Sequence, residues 1–168
     1  MRVIKDRQIV EDDWVRLAAD AEFPAVGNVL VELQRWNAGL PPGHDVQVGL
    51  LLAPTDDVSS IQRLHELRLI AIDFPRFTDG RGYSLARLLR TRLGYRGELR
   101  AVGNVLRDQL LYMQRCGFDA FELDPSKNAE AALSAFDELQ VYYQAASDVA
   151  EPLFRRAARG ATAGKPAR

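Results

Sequence analysis

The sequence has very little of the chemistry that disulfides and metal clusters require. One cysteine, Cys116, occurs among 168 residues, which excludes an internal disulfide and any iron–sulfur cluster held by several thiolates. Two histidines, His44 and His65, are present, and their positions match no zinc-binding pattern. The sequence therefore predicts no metal site, and it identifies no cofactor.

Net charge and long apolar runs are absent as well. The chain carries 22 basic and 23 acidic side chains, a formal charge of -1, so no excess of positive charge favours a nucleic-acid backbone. No apolar run approaches the roughly 20 residues needed to cross a bilayer. Charged residues occupy the start of the chain, where a signal peptide has its apolar segment. We expect a cytoplasmic protein with neither a nucleic-acid nor a membrane partner.

Neither of the common glycine-rich nucleotide-binding motifs, GxGxxG and GxxxxGK[ST], occurs. What the sequence does contain is an alternation of apolar runs and amphipathic segments, which is clearest over residues 69–124. The order there is strand, loop, helix, strand, helix, strand, which is typical of parallel βαβ units. Ligands bind to such sheets at the carboxyl ends of the strands, so we expect a functional site there.

Apolar runs and turn signals predict an N-terminal hairpin, five further strands and four longer helical segments. The hairpin joins Arg2–Lys5 to Gln8–Glu11, and Trp14 and Leu17 follow it at helical spacing. Helices are predicted over about 55–68, from Ser84, after Asn104, and from Asp124 to about Tyr143. The predicted strands are Asn28–Leu33, Val46–Ala53, Leu69–Phe74, Glu98–Val102 and Phe118–Leu123.

These elements predict a single α/β domain over residues 1–150, with a basic, disordered tail over 151–168. About five βα units fit either a doubly wound sheet or a truncated TIM-barrel-like sheet. A complete eight-stranded barrel typically takes about 250 residues, more than this chain has. We therefore predict a parallel sheet of one of these two kinds, with the N-terminal hairpin added to it.

The first candidate site is the loop after strand Leu69–Phe74. Its glycines let the backbone approach a ligand, and the following helix directs unpaired amides towards it. Arg76 and Arg81 add positive charge, so a small anion could bind. Alternatively, Asp79 and Gly80 only form a turn, Arg81 pairs with Asp79, and Ser84 caps the helix. The candidate ligand-binding residues are Arg76, Thr78, Gly80, Arg81, Gly82, Tyr83 and Ser84.

The second candidate site is the turn after strand Glu98–Val102. If the two strands are neighbours in the sheet, this turn adjoins the first loop, and Arg107 could reach a shared ligand. The alternative is a surface ion pair, with Asp108 compensating the helix dipole, worth under about 1 kcal/mol. The candidate residues are Gly103, Asn104, Arg107, Asp108 and Gln109.

Carboxylates at these strand ends are candidates for acid–base catalysis. Asp73 ends its strand directly before the glycine-containing loop, and Asp79 lies within that loop. Asp124 ends the last predicted strand, and we interpret it as a helix cap because no partner lies at a diagnostic spacing. Asp73 and Asp79 are therefore the predicted catalytic residues.

Three segments carry a resemblance to a known family: FPRFTDGRGYS, GYRGELRAVGNVLRDQL and RCGFDAFEL. They resemble an uncharacterised bacterial family labelled as an oxidoreductase of sulfite reduction, and the similarity extends from Ile4 to about Tyr143. The resemblance implies a role in sulfate assimilation, with the haem-containing sulfite reductase as a partner. One difference is that Gly103-Asn104-Val105 stands where the resemblance leads us to expect Gly-Asp-Val, which removes a carboxylate.

The residues themselves contain no redox-cofactor motif, so the resemblance favours an accessory protein of assimilatory sulfite reduction over a reductase in its own right. Such a protein could bind a small anion at Arg76, Arg81 and Arg107. Two alternatives stay open. One is a small (β/α) enzyme that acts on an anionic metabolite, with Asp73 or Asp79 as acid or base. The other is a purely structural partner protein.

Overall fold

Eight strands form one mixed sheet in a computed structural model of the chain, which describes residues 2–39, 45–139 and 141–158. The strands are β1 (Arg2–Lys5), β2 (Gln8–Glu11), β3 (Trp14–Arg16), β4 (Val26–Glu32), β5 (Asp45–Leu52), β6 (Leu69–Phe74), β7 (Glu98–Gly103) and β8 (Ala120–Phe121). The helices are α1 (Leu33–Ala38), α2 (Arg81–Thr91), α3 (Leu110–Cys116), α4 (Ala129–Leu133) and α5 (Leu153–Ala158). In this part of the chain no helix has the length and apolar character of a transmembrane span.

The strand order is β2-β1-β8-β7-β6-β5-β4-β3. Strands β3 to β8 run parallel to one another, whereas β1 is antiparallel to both β8 and β2. The predicted hairpin is confirmed, with Asp6 and Arg7 at positive φ in its turn. The predicted parallel sheet is confirmed only in part, because the hairpin strands join the same sheet in antiparallel orientation. The result is a mixed α/β fold.

The sheet curls into a half-barrel because a two-residue link joins strands at its opposite edges. Only Asp12 and Asp13 separate β2 from β3. Successive Cα atoms are about 3.8 Å apart, so these two edges approach to within about 11 Å. Contacts across the hollow hold this curvature: Arg16 Nη2 lies 2.9 Å from Glu122 Oε1, and Arg100 Nη2 lies 2.7 Å from Asp12 Oδ1. The curled sheet is not clearly TIM-like.

The two faces of the sheet bury different kinds of side chains. The convex face carries Ile70, Ile72, Phe74, Leu99 and Ala101, and these pack in the main core with side chains from the helices. The concave face is smaller and more polar. Its apolar part is a cluster of Leu30, Leu69, Ala71 and Val102, with Trp14 and Leu51 packed against it.

Several predicted helices are shorter than expected or absent. Trp14 lies in strand β3 instead of a helix, because pairing with β4 satisfies its backbone. The predicted helix over 55–68 is two 3₁₀ turns, Val58–Ser60 and Leu64–Glu66, since Arg63 at φ 51 interrupts it. The closing helix begins after the cap Asn128 and gives way to a 3₁₀ turn at Ser134–Asp137.

The last strand and the C-terminal segment also differ from the predictions. Strand β8 comprises only Ala120–Phe121 of the predicted Phe118–Leu123. Helix α5 occupies Leu153–Ala158, within the segment predicted to be a disordered tail. Residues 159–168 of that tail, and His44, lie outside the described residues.

Candidate functional site

The two predicted turns lie side by side at the carboxyl ends of β6 and β7. These strands are parallel neighbours, and Phe74 pairs with Gly103 at their ends. The Asn104 amide donates a hydrogen bond of 2.7 Å to the Phe74 carbonyl. Gln109 Nε2 donates one of 3.0 Å to the Phe77 carbonyl. The expectation that the turns adjoin is therefore met.

The arginines of the two turns, however, bind separate carboxylates. Arg81 donates to both oxygens of Asp79, at 2.9 and 2.6 Å. These bonds lower the pKa of Asp79 to about 2. Arg107 Nη2 lies 2.7 Å from Glu138 Oε1 and 2.8 Å from Ser134 Oγ. Each turn thus has the ion pair that the simpler interpretation predicts, and the two guanidinium groups face different partners.

The remaining predicted ligand-binding residues of these turns have varied surroundings. Ser84 lies inside α2, which begins at Arg81 with Gly80 as its cap residue, so the prediction that Ser84 caps the helix is wrong. Tyr83 is half-buried, with its ring 5.3 Å from that of Phe74. The residues exposed to solvent are Arg76, Thr78, Gly80, Ser84, Gly103, Asn104 and Asp108.

Gly82 is required by packing. A Cβ atom at this position would lie 2.6 Å from Cζ of the buried Phe74 ring. We expect Gly82→Ala to lower the free energy of unfolding by about 1–3 kcal/mol, because the Phe74 ring is fully buried in the main core. Gly80→Ala is the matched control, since a Cβ there meets nothing within 4 Å. Urea unfolding of both variants measures the difference, and an equal effect would contradict the packing role.

Asp73 lies on the concave face, away from the loop that contains Asp79. Burial raises the pKa of the Asp73 carboxyl, while the charge of Arg16 and a backbone hydrogen bond from Phe74 oppose the rise. Arg16 also forms the ion pair with Glu122 across the hollow. Asp73, Arg16 and Glu122 therefore line the carboxyl mouth of the half-barrel, at the end where α/β enzymes place catalytic groups.

Sequence reasoning missed Arg16 and Glu122. Arg16 lies in β3, which the sequence predicts as helical, and only the curvature of the sheet brings it opposite Glu122. Neither residue belongs to a motif. No signal in the sequence could have identified this pair without the order of the strands.

The two predicted catalytic carboxyls should affect stability with opposite signs. A raised folded-state pKa means that ionised Asp73 destabilises the fold at neutral pH, and that this cost disappears as the pH falls through that pKa. The lowered pKa of Asp79 means the reverse: its stabilisation is present above pH 4 and is lost as the pH falls towards 2. At pH 7 we therefore expect Asp73→Asn to raise the melting temperature and Asp79→Asn to lower it.

Melting curves of both variants between pH 3 and 7 test this expectation. The difference between Asp73→Asn and the wild type should shrink as the pH falls. A change of the same sign in both variants at pH 7 would contradict the assigned environments.

A polar network fills the middle of the concave face. Arg100 is 2% exposed and lies 2.7 Å from both Asp12 Oδ1 and Glu98 Oε1. Lys5 Nζ lies 2.7 Å from the other Glu98 oxygen, and this hydrogen bond raises the pKa of Lys5. The network ties β1, β7 and the link between β2 and β3 together.

The aromatic patch on the outside comprises Tyr83 and Tyr112, whose rings are in contact, and Phe77, whose carbonyl accepts a hydrogen bond from Gln109, three residues before Tyr112. Phe77 is 47% exposed and Tyr112 is 60% exposed. The rings of Tyr83 and Tyr112 are 5.2 Å apart. The pKa of the Tyr112 hydroxyl is raised, chiefly by the neighbouring Cys116 and by burial, and the positive charge of Arg87 opposes this rise. The patch thus combines exposed rings with positive charge.

Within the described residues, no group of three or more His, Cys, Asp or Glu side chains could hold a metal ion. Cys116 is a buried free thiol whose pKa is raised by burial. This environment disfavours the thiolate that nucleophilic catalysis needs.

The chain matches the model of a known protein family. The family described as "Bacterial protein of unknown function (DUF934)" matches residues 49–154, which is more than half of the chain. No curated protein and no solved structure matches the chain. The matched range includes both turns, Asp73 and the aromatic patch.

Proposed function

Because the chain belongs to the bacterial family DUF934, whose function is unknown, we propose a function from its geometry and from the resemblance of its turns. The proposal is an accessory protein of assimilatory sulfite reduction that docks onto the sulfite reductase haemoprotein through the aromatic patch. The blocks FPRFTDGRGYS and GYRGELRAVGNVLRDQL, which carry the resemblance, build this part of the molecule. The first supplies Phe77 and Tyr83, and the second ends two residues before Tyr112.

The exposure of the aromatic patch is the observation that carries this proposal. Phe77 and Tyr112 leave about half of their surface in water, which costs free energy unless a partner covers them. Tyrosine and arginine are enriched among the interface residues that contribute most to affinity, and phenylalanine is enriched in interfaces generally. Arg76 is exposed next to Phe77, and Arg87 is exposed on α2, which carries Tyr83. The patch therefore suits a partner surface with apolar pockets bordered by carboxylates.

The ion pairs of the turns favour docking over capture of a small anion at the same place. An anion that bound Arg81 and Arg107 together would have to displace Asp79 and Glu138. Each of these carboxylates is held on its own arginine at hydrogen-bond distance. A protein partner can bind the exposed rings without breaking either pair.

Purified components test the proposal. We expect the chain to co-purify with sulfite reductase and to raise its turnover of sulfite. Tyr112→Ala is expected to weaken the complex about tenfold or more, as truncation of an interface tyrosine typically does. Tyr143→Ala is the matched control, because Tyr143 is 67% exposed and lies outside the patch. Equal loss in both variants, or no complex with the wild type, would contradict the proposal.

A second candidate function is a small enzyme that acts on an anionic metabolite. It is favoured by the raised pKa of Asp73 beside Arg16 at the carboxyl mouth. There Asp73 would transfer a proton, and Arg16 would hold the anionic group of the substrate. A thermal-shift screen of phosphorylated and carboxylated metabolites separates the two candidates. A ligand of this site should raise the melting temperature of the wild type and not of Arg16→Gln.

A further inference from the structure

A cavity of about 390 Å³ opens at the opposite, amino-terminal mouth of the half-barrel. Its volume lies within the range of about 300–1,000 Å³ that is usual for pockets that hold small organic ligands. None of the residues predicted from the sequence as a site lines it. The lining residues that matter here are Lys5, Trp14, Gln47, Arg68, Arg96 and Glu98.

Two carboxylates in the lining already have cationic partners. Glu98 binds Lys5 and Arg100, each at 2.7 Å. Asp119 accepts a hydrogen bond of 2.6 Å from Arg90 Nη2 and one of 2.8 Å from the Leu99 amide. Their charges are balanced within the protein. A third lining carboxylate, Asp6, belongs to the exposed turn of the hairpin.

Two arginines of the lining keep most of their donors available. Arg68 immediately precedes β6, Arg96 lies two residues before the start of β7, and both are exposed. The two segments are joined, since the Glu98 amide donates a hydrogen bond of 2.8 Å to the Arg68 carbonyl. Within the part of the chain that the structure describes, the only hydrogen bond of the Arg68 guanidinium is a long one of 3.3 Å to Gln47 Oε1. Among the described residues, the Arg96 side chain has neither an ion pair nor a hydrogen bond.

The cavity also has an apolar wall. Trp14 is partly exposed, and its ring lies on the concave face over Gly49, where an added Cβ would be 2.9 Å from Trp14 Cζ3. The absence of a side chain at Gly49 therefore makes room for this ring. Leu69 lies beside it in both the lining and the concave apolar cluster.

From this arrangement we infer that the amino-terminal mouth binds a small organic anion. Arg68 and Arg96 receive its carboxylate or phosphate group, because guanidinium groups match the geometry of such oxyanions. The ring of Trp14 packs against the flat, apolar part of the ligand. The cavity is much larger than a simple inorganic oxyanion needs. This inference does not depend on the docking function, because it concerns the opposite end of the half-barrel.

A titration with phenyl phosphate, monitored by the two tryptophan indole N–H signals in NMR spectra, tests the inference. Saturable movement of the Trp14 signal is expected. Trp36 is an internal control, because it is buried and its indole donates a hydrogen bond to the Gln62 carbonyl. Inorganic phosphate should bind at least several-fold more weakly, and phenol should not saturate the site.

Arginine variants assign the binding to the cavity. Arg68→Gln and Arg96→Gln are each expected to weaken phenyl phosphate binding about tenfold, the usual effect of losing a charge-assisted hydrogen bond. Arg92→Gln is the matched control, because Arg92 is exposed at the end of α2 and does not line the cavity. Unchanged affinity in the Arg68→Gln/Arg96→Gln double variant, or no saturable shift of Trp14 in the wild type, would overturn the inference.

Discussion

Replacing Arg100 with alanine is expected to lower the free energy of unfolding by about 3–5 kcal/mol. Its guanidinium is almost completely buried, and it binds Glu98 on its own strand and Asp12 across the hollow of the sheet. Removing one partner of a buried ion pair leaves charge in a poorly solvated place, which usually costs this much. The Asp12 contact also fixes the link between β2 and β3, so the loss should reduce the curvature of the sheet.

Urea unfolding, monitored by circular dichroism, measures this effect. Arg92→Ala provides the control, since a change at an exposed arginine away from such a network is expected to stay within about 0.5 kcal/mol. A loss of less than about 1 kcal/mol in Arg100→Ala would mean that the polar network does not hold the half-barrel together.

Gly103→Ala is the second substitution with a large expected effect, about 3 kcal/mol. The residue has φ 88, where an L side chain is strained by roughly 1–2 kcal/mol. In addition, its Cβ would lie 2.6 Å from Asp73 Oδ1 and 2.7 Å from the Phe74 carbonyl oxygen. The backbone oxygen belongs to the neighbouring strand and has little freedom to move.

The control for Gly103→Ala separates strain from collision. Gly94 has φ 65, and a Cβ there meets nothing within 4 Å. Gly94→Ala should therefore show the strain alone, about 1 kcal/mol. The melting temperatures of the two variants give the comparison. If both substitutions cost the same, the close approach of the two turns would not be the reason for the glycine at position 103.

The elements that the sequence predicts well are those with strong local signals. Strand Leu69–Phe74 is confirmed with its predicted bounds, because it is a short apolar run bounded by Pro75. The neighbouring strand, predicted as Glu98–Val102, extends one residue further, to Gly103. Consecutive βα units usually form neighbouring parallel strands, and these two strands are neighbours in the sheet. The same rule predicts correctly that the two turns at their carboxyl ends adjoin.

The elements that the sequence does not predict depend on distant contacts. Trp14 and Leu17 have helical spacing, yet pairing with β4 makes the segment around Trp14 a strand. This strand determines two further positions. It places Arg16 opposite Glu122, and it places Trp14 in the lining of the cavity. No local pattern contains this information, because a two-residue link has to bridge the two edges of an eight-stranded sheet.

In the candidate site, too, some features follow from the local sequence and others depend on distant contacts. The sequence places Arg81 and Arg107 on adjoining turns, but the carboxylate that each arginine binds depends on side-chain directions. Asp79 is near Arg81 in sequence, and their spacing already allows the ion pair that the structure has. Glu138 is far from Arg107 in sequence and meets it only because the segment after α4 folds back over the turn.

Growth of a strain that lacks the gene for this chain is the most direct test of the role in sulfite reduction. The account predicts that the strain grows on sulfide or cysteine and fails on sulfate or sulfite as the sulfur source. The wild-type gene should restore growth on sulfite, and a Tyr112→Ala allele should not. Equal growth of the deletion strain and its parent on all four sulfur sources would contradict the proposed function.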